Sequence, residues 1–139
     1  MSEKNIRRGF VLAGLSNILG VLICSRLFTN DVMMETQPGV MGLFGLVCIV
    51  LWGLAYIAVS RNFAHVRWLV AVFVIEKLAY VIAWIAFQTS GSLAAVFQQD
   101  ALAGVFYTIY GPNDFAFMLF FGFVFLKTRS GTPSLPGSV

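Results

Sequence analysis

The sequence predicts an all-α protein, a four-transmembrane-helix bundle with both termini in the cytoplasm. Of its 139 residues, 59% are hydrophobic and 11% are charged, and four apolar runs each approach the roughly 20 residues that cross a bilayer as a helix. A soluble domain is less apolar and about twice as charged, so lipid must be the solvent for much of this chain. None of the runs alternates polar and apolar residues, which excludes the strands of a membrane barrel.

Short turn-forming segments separate the four runs. They are residues 29–31 (TND), 38–39 (PG), 61–62 (RN) and 90–92 (SGS). We place the spans at residues 9–28, 40–60, 66–87 and 101–126, within a transmembrane domain of residues 1–127. Residues 93–99 are only partly apolar and are predicted to form a short interfacial helix. Residues 128–139 are rich in Ser, Gly, Pro and Thr and are predicted to be a disordered tail.

Pro112 lies in the middle of the fourth run. Proline removes one helical hydrogen bond and clashes with the preceding turn, so two interpretations are open. Either the helix over 101–126 is kinked at Pro112, or Pro112 starts the membrane helix and residues 101–111 form an interfacial arm. We favour the kink, because residues 115–126 alone are too short to cross the bilayer.

Basic residues lie almost entirely on one side of the predicted bundle. Arg26 alone lies near the opposite edge, where we expect it to reach lipid headgroups or Asp31. The positive-inside rule therefore places both termini in the cytoplasm. The net charge of +3 follows from this topology and from anionic headgroups, and nucleic acid is excluded as a partner. The seven residues on the basic side are Lys4, Arg7, Arg8, Arg61, Arg67, Lys127 and Arg129.

Three of the spans carry polar residues at a similar depth, counted at about 1.5 Å per residue. Charges at such a depth are costly and usually face the protein interior. We therefore predict an intramembrane polar cluster in which Lys77 pairs with Asp114 or Glu76, beside a pocket of aromatic side chains. The predicted cluster contains Asn17, Glu76, Lys77, Tyr80, Tyr107, Tyr110, Asn113 and Asp114, and the predicted pocket aromatics are Trp52, Tyr56 and Trp84.

Three interpretations of the polar cluster are open. The charges pair and fix the register of the helices, or they line a cavity with a poised carboxylate, or they form a proton or ion path. Four helices leave little width for such a path, which makes the third interpretation the weakest.

The small residues and the cysteines indicate how the helices pack, but they do not indicate a reactive site. Ser16, Gly20 and Cys24 form a small-xxx-small stripe that lets another helix approach, either within the bundle or from a second copy. Cys24 and Cys48 are interpreted as small apolar side chains, with a disulfide between the first two spans as the alternative. His65 is the only histidine and has no second ligand three or four residues away. We predict neither a metal site nor a cofactor.

Four short segments resemble those of a known family. They are SRLFTN at 25–30, LWGLAY at 51–56, EKLAYV at 76–81 and YGPND at 110–114, and together they resemble the BphX-like group of small bacterial four-helix membrane proteins. The resemblance implies a multi-pass protein of the bacterial inner membrane with an accessory role, and it implies no reaction.

Three functions follow from these observations. The leading hypothesis is a non-enzymatic accessory or interaction subunit, whose partner is another membrane protein or a second copy of the chain. The first alternative is a binder or isomerase of an apolar small molecule, in which Glu76 or Asp114 holds the polar end of the ligand. The second alternative is a small transporter or channel subunit.

Overall fold

A computed structural model describes residues 1–129, and this part of the chain is all-helical. No strand occurs within it, so the predicted fold class is confirmed at that level. Three of its helices, Glu3–Cys24, Arg67–Ser90 and Ala101–Arg129, are long and apolar enough to cross a membrane, and Leu43–Val59 is a shorter apolar helix. The helices are α1 (Glu3–Cys24), α2 (Asp31–Thr36), α3 (Pro38–Met41), α4 (Leu43–Val59), α5 (Arg67–Ser90), α6 (Leu93–Gln99) and α7 (Ala101–Arg129).

The helix ends differ from the predicted spans for local reasons. α1 begins before residue 9 because the Ser2 hydroxyl caps it, accepting from the Asn5 N–H at 3.3 Å. α4 begins late because the chain turns at Gly42, the N-cap of α4. α6 has the bounds predicted for the interfacial helix.

α7 is one helix that contains Pro112. The alternative in which Pro112 starts the membrane helix is therefore wrong. Thr128 and Arg129, assigned to the tail from the sequence, belong to the last turn of α7. Residues 130–139, the rest of the predicted tail, lie outside the described residues.

α1 is followed by a turn in which residues 26–28 have left-handed backbone, with φ of 49°, 57° and 65°. None of these residues is glycine, and this conformation costs roughly 1–2 kcal/mol per residue. Local hydrogen bonds offset the cost. The Ser25 hydroxyl accepts from the Phe28 N–H at 2.9 Å, and the Thr29 hydroxyl donates to the Arg26 carbonyl at 2.7 Å. The turn returns the chain over the end of α1 without a long loop.

Asp100 connects this turn to the start of α7 through hydrogen bonds and an ion pair. One carboxylate oxygen accepts from the Arg26 guanidinium at 2.7 Å, and the other accepts from the Asn30 amide at 2.9 Å and from the Ala103 N–H at 2.8 Å. The Ala103 N–H, with Arg26 and Asn30, holds the pKa of Asp100 below its usual range. The expected contact of Arg26 with Asp31 is thus replaced by an ion pair with Asp100.

Contacts at the ends of the helices define their directions. Lys127 in the last turn of α7 donates to the Met1 carbonyl, so α7 ends where the chain begins. Arg67 at the start of α5 donates to the Phe125 carbonyl at 3.1 Å. α7 therefore runs antiparallel to both α1 and α5, which are parallel to each other. α5 packs chiefly on α7, and α1 packs chiefly on α4.

α1 and α4 touch backbone to backbone at two glycines. A Cβ added to Gly14 would lie 2.5 Å from the Gly53 carbonyl oxygen, and a Cβ added to Gly53 would lie 2.7 Å from the Gly14 carbonyl oxygen. Nothing lies within 4 Å of a Cβ added to Gly20. Close approach within the bundle therefore occurs at Gly14, not at Gly20 in the Ser16–Gly20–Cys24 stripe, and approach of a second copy along that stripe stays a prediction.

Two apolar clusters form the core, and a polar layer lies between them. The cluster at the end where α1 begins is rich in aromatic rings, with Tyr56, Phe73 and Phe121 within 5.5 Å of one another by ring centroid. The other cluster lies toward the end where α1 finishes and includes Val21, Met33 and Tyr107. The buried polar residues that separate the clusters are Asn17, Glu76, Lys77 and Asp114.

We predict that Gly14→Ala destabilises the bundle whereas Gly20→Ala leaves it unchanged. The added methyl at residue 14 must push α1 and α4 apart, a distortion that typically costs about 1–3 kcal/mol, while the one at residue 20 meets open space. Thermal unfolding of both variants in the same detergent measures the difference. Equal melting temperatures for the two variants would contradict the glycine contact.

We also predict that acid opens the turn at residues 25–30. The folded pKa of Asp100 is depressed, so its contribution to stability is present above its unfolded pKa of about 3.9 and is lost as the pH falls through the folded pKa. Amide hydrogen exchange at Phe28 and Asn30, expressed relative to the intrinsic exchange rate at each pH, should quicken below about pH 4. The variant Asp100→Asn keeps an oxygen that can cap α7 but removes the charge, so it should abolish this pH dependence. Identical pH profiles for the variant and the parent would contradict the prediction.

Candidate functional site

Lys77 is the centre of the polar layer and is only 1% exposed. Its ammonium donates to Asp114 Oδ1 at 2.6 Å and to Asn17 Oδ1 at 3.0 Å. The Asn113 amide donates to the same Asp114 oxygen at 3.3 Å. The ammonium also lies 5.2 Å from the centre of the Tyr56 ring. The structure thus brings Asn17, Lys77, Asn113 and Asp114 together and joins α1, α5 and α7 through one lysine.

Glu76 is adjacent to Lys77 in sequence but belongs to a different contact. The Tyr56 hydroxyl of α4 donates to Glu76 Oε2. Glu76 Oε1 has no hydrogen-bond partner among residues 1–129, although Glu76 is only 8% exposed. None of the three ion pairs of the described chain includes this carboxylate. A buried acceptor without a donor costs about 1–3 kcal/mol, so Glu76 is incompletely satisfied.

A groove of about 580 Å³ lies between α4 and α5 and has Glu76 among its lining residues. Trp52 and Tyr80 form part of its walls, in agreement with the sequence-based placement of aromatic side chains beside the charges. Phe44 and Ile75 also line it and are 82% and 65% exposed. The groove therefore opens sideways, on the apolar outer surface of the helices.

A second, smaller cavity of about 150 Å³ lies between α1 and α7. Asn17, Asn113 and Asp114 contribute polar groups to its wall, and Gly20 leaves it open on the α1 side. Its volume and polar lining suit a few water molecules. The Lys77 ion pair is therefore flanked by a small polar cavity, whereas Glu76 borders the larger groove.

Of the residues that the sequence placed in the cluster or the pocket, Tyr107 and Trp84 line neither cavity, and Tyr110 lines the smaller one but directs its hydroxyl away from the charges. The Tyr107 hydroxyl donates to the Met33 carbonyl at 2.7 Å, and the Tyr110 hydroxyl donates to Gln37 Oε1 at 2.8 Å. Both phenols therefore hold the α2–α3 segment over the bundle and do not reach the charges. Trp84 donates to the Tyr107 carbonyl at 2.7 Å and contributes to neither cavity.

Trp84 instead secures the turn of α7 before Pro112. A Cβ added to Gly111 would lie 2.0 Å from the Trp84 ring, so only glycine lets the indole pack this closely. Gln88 also donates to the Tyr107 carbonyl, at 3.2 Å. The Gly-Pro pair marked this turn in the sequence, but it did not indicate that Trp84 and Gln88 donate to the Tyr107 carbonyl within it.

The sequence did not indicate the role of Gln37, which links the connection between α2 and α3 to α5 and α7. Its amide donates to the Ala83 carbonyl at 3.0 Å, and its amide oxygen accepts from Tyr110. A single glutamine in a short polar connection has no periodic pattern that could have indicated these contacts. Tyr56 was predicted to contribute its ring to the pocket, whereas its hydroxyl is the hydrogen-bond partner of Glu76.

The fold and site define a class: an all-helical protein with helices long and apolar enough to cross a membrane, and a buried ionic network between them. A scan against protein-family models and searches of curated proteins and of solved structures give no match to this chain. The resemblance to the BphX-like group stays a prediction. Within residues 1–129, no group of three or more His, Cys, Asp or Glu side chains is placed to hold a metal, and Cys24 and Cys48 are free thiols, so the alternative of a disulfide between them is wrong.

We predict that the Lys77–Asp114 pair is strongly coupled. Lys77→Met and Asp114→Leu should each destabilise the protein by about 3–5 kcal/mol, because each leaves the other charge buried without a partner. The double variant should be more stable than either single variant, as measured by reversible unfolding in mixed detergent micelles.

The control is the Glu3–Arg7 pair, which has the same 2.6 Å separation but side chains that are 67% and 47% exposed. The same cycle with Glu3→Gln and Arg7→Gln should show coupling of less than about 1 kcal/mol. Additive effects at Lys77 and Asp114 would contradict the prediction.

Proposed function

We propose that the chain is a multi-pass protein of the bacterial inner membrane that crosses the bilayer four times. α1 and α5 are parallel, so the chain must return between them, and α4 is the apolar helix in that interval. With 17 residues, α4 is about 25 Å long, close to the roughly 30 Å hydrocarbon core. The basic residues at the end where α1 begins support a cytoplasmic position for both termini.

The function that the geometry supports best is binding of an amphipathic small molecule in the groove between α4 and α5. The single observation that carries this proposal is the unpartnered, buried Oε1 of Glu76 at the groove. A ligand whose polar end donates a hydrogen bond would satisfy that oxygen. A protonated amine fits best, because it also places a positive charge at ion-pair distance from Glu76, where no described side chain places one.

The contrast with Asp114 supports the choice of Glu76. The charge of Asp114 is already paired with Lys77, whose ammonium and the Asn113 amide both donate to Oδ1, and Asp114 borders only the smaller cavity of about 150 Å³. Both carboxylates were candidates for holding a polar group, and only Glu76 combines a free acceptor with a large neighbouring space.

The size and lining of the groove suit a small molecule. Its volume of about 580 Å³ lies within the range typical of ligand sites, which are mostly apolar with few polar groups. Glu76 Oε1 has less than 1 Å² of exposed surface, so binding requires the Glu76 side chain to turn toward the groove. The proposal assigns no reaction to this site, and the accessory-subunit and transporter hypotheses stay predictions.

We predict that a long-chain alkylamine brominated on its chain quenches the fluorescence of Trp52 in lipid nanodiscs. The alkylamine should bind more tightly than the alcohol or the carboxylate of equal chain length, since only the amine forms a charge-assisted hydrogen bond with Glu76. Glu76→Gln should weaken binding of the amine about tenfold or more, as expected for loss of a bond worth about 1.5–3 kcal/mol.

Two variants serve as controls. Glu35→Gln removes the same charge from an exposed position on α2 and should leave binding unchanged. Trp52→Phe removes the reporter and should abolish the saturable part of the quenching. Equal affinity of the parent and a folded Glu76→Gln variant for the amine would refute the proposed function.

A further inference from the structure

A second groove, of about 430 Å³, lies where α1 begins and α4 ends. Four basic side chains line it, Lys4, Arg7 and Arg8 from α1 and Arg61 from the turn after α4. It shares no lining residue with the groove at Glu76, so it is independent of the proposed small-molecule site and rests only on the proposed membrane topology.

The charge of this groove is largely unneutralised. Arg7 pairs with Glu3 at 2.6 Å, whereas Lys4, Arg8 and Arg61 form no ion pair within residues 1–129. Like charges gathered at one site repel, and an anion placed among them removes that repulsion. Arginine guanidinium groups bind phosphate through two parallel hydrogen bonds, so a phosphate is the complementary anion.

An apolar strip continues from the basic residues along α1. Val11, Leu12 and Leu15 line the same groove, and Leu12 and Leu15 are 60% and 42% exposed. Residues 4, 8, 12 and 15 are three or four positions apart and share one helix face. Charge and apolar surface therefore follow one another along about 16 Å of α1, counted at 1.5 Å per residue.

We propose that this groove binds an anionic glycerophospholipid of the adjacent leaflet. The phosphate lies among Lys4, Arg8 and Arg61, and one acyl chain lies along Leu12 and Leu15. Basic pockets at the ends of transmembrane helices bind anionic headgroups in this way. The apolar strip makes a membrane lipid the occupant and not free phosphate, which has no chain to cover Leu12 and Leu15.

The test uses the full chain in nanodiscs of equimolar phosphatidylglycerol and phosphatidylcholine, followed by release into mild detergent and native mass spectrometry. The parent should retain phosphatidylglycerol about tenfold more often than phosphatidylcholine. Arg8→Gln combined with Arg61→Gln should abolish that preference. Lys127→Gln combined with Arg129→Gln removes the same charge at the same end of the bundle, outside the groove, and should preserve it.

Three results would overturn the proposal. They are the absence of a preference in the parent, an equal loss in the Lys127/Arg129 double variant, and displacement of the lipid by inorganic phosphate alone. Leu12→Ser combined with Leu15→Ser separates the two phosphate sources, because it should reduce lipid retention while leaving the basic residues intact. If the Arg8/Arg61 variant fails to fold, Lys4→Gln on the exposed first turn of α1 replaces it and should also reduce the preference for phosphatidylglycerol. An unchanged preference in the Lys4→Gln variant would count against the proposal.

Discussion

Burial of the Lys77 ammonium is the constraint on which the rest of the bundle depends. An ammonium at membrane depth is tolerated only where other groups surround it, and α1 and α7 each bring one oxygen to it. Those oxygens reach Lys77 only if the helices lie close together. The fit of Gly111 against the Trp84 indole brings α7 close to α5, and the backbone contact of Gly14 with Gly53 brings α1 close to α4. Polar contacts and glycine packing are therefore two parts of one arrangement.

Glu76, the residue next to Lys77, has a different role because it points in a different direction from the helix. Successive residues on a helix point about 100° apart, so Glu76 faces α4 when Lys77 faces α1 and α7. Tyr56 satisfies only one oxygen of Glu76. The two adjacent charged residues thus have different roles. Lys77 holds the helices together, whereas Glu76 borders the groove between α4 and α5.

Much of the architecture could be predicted from the sequence because long apolar runs and turn-forming segments are local signals. The meeting of Lys77 with Asp114 could also be anticipated, since depth along a helix follows from residue count. The helix faces that contact one another could not be predicted, because they depend on which helices pack side by side in the fold. Gly14 thus makes the contact expected of Ser16 and Gly20. Tyr107 and Tyr110 turned out to hold α2 and α3, and the left-handed turn at residues 26–28 contains no glycine to indicate it.

The sideways opening of the groove at Glu76 has a consequence for any molecule that enters it. Phe44 and Ile75 at its edge are among the most exposed apolar side chains of residues 1–129, so in the proposed membrane topology the occupant arrives from the hydrocarbon and competes with acyl chains. Its effective concentration is then a mole fraction in the membrane, set by its partition coefficient, and not a concentration in water. Occupancy would follow the lipid-to-protein ratio, and a sparingly water-soluble compound could saturate the site at a low total dose.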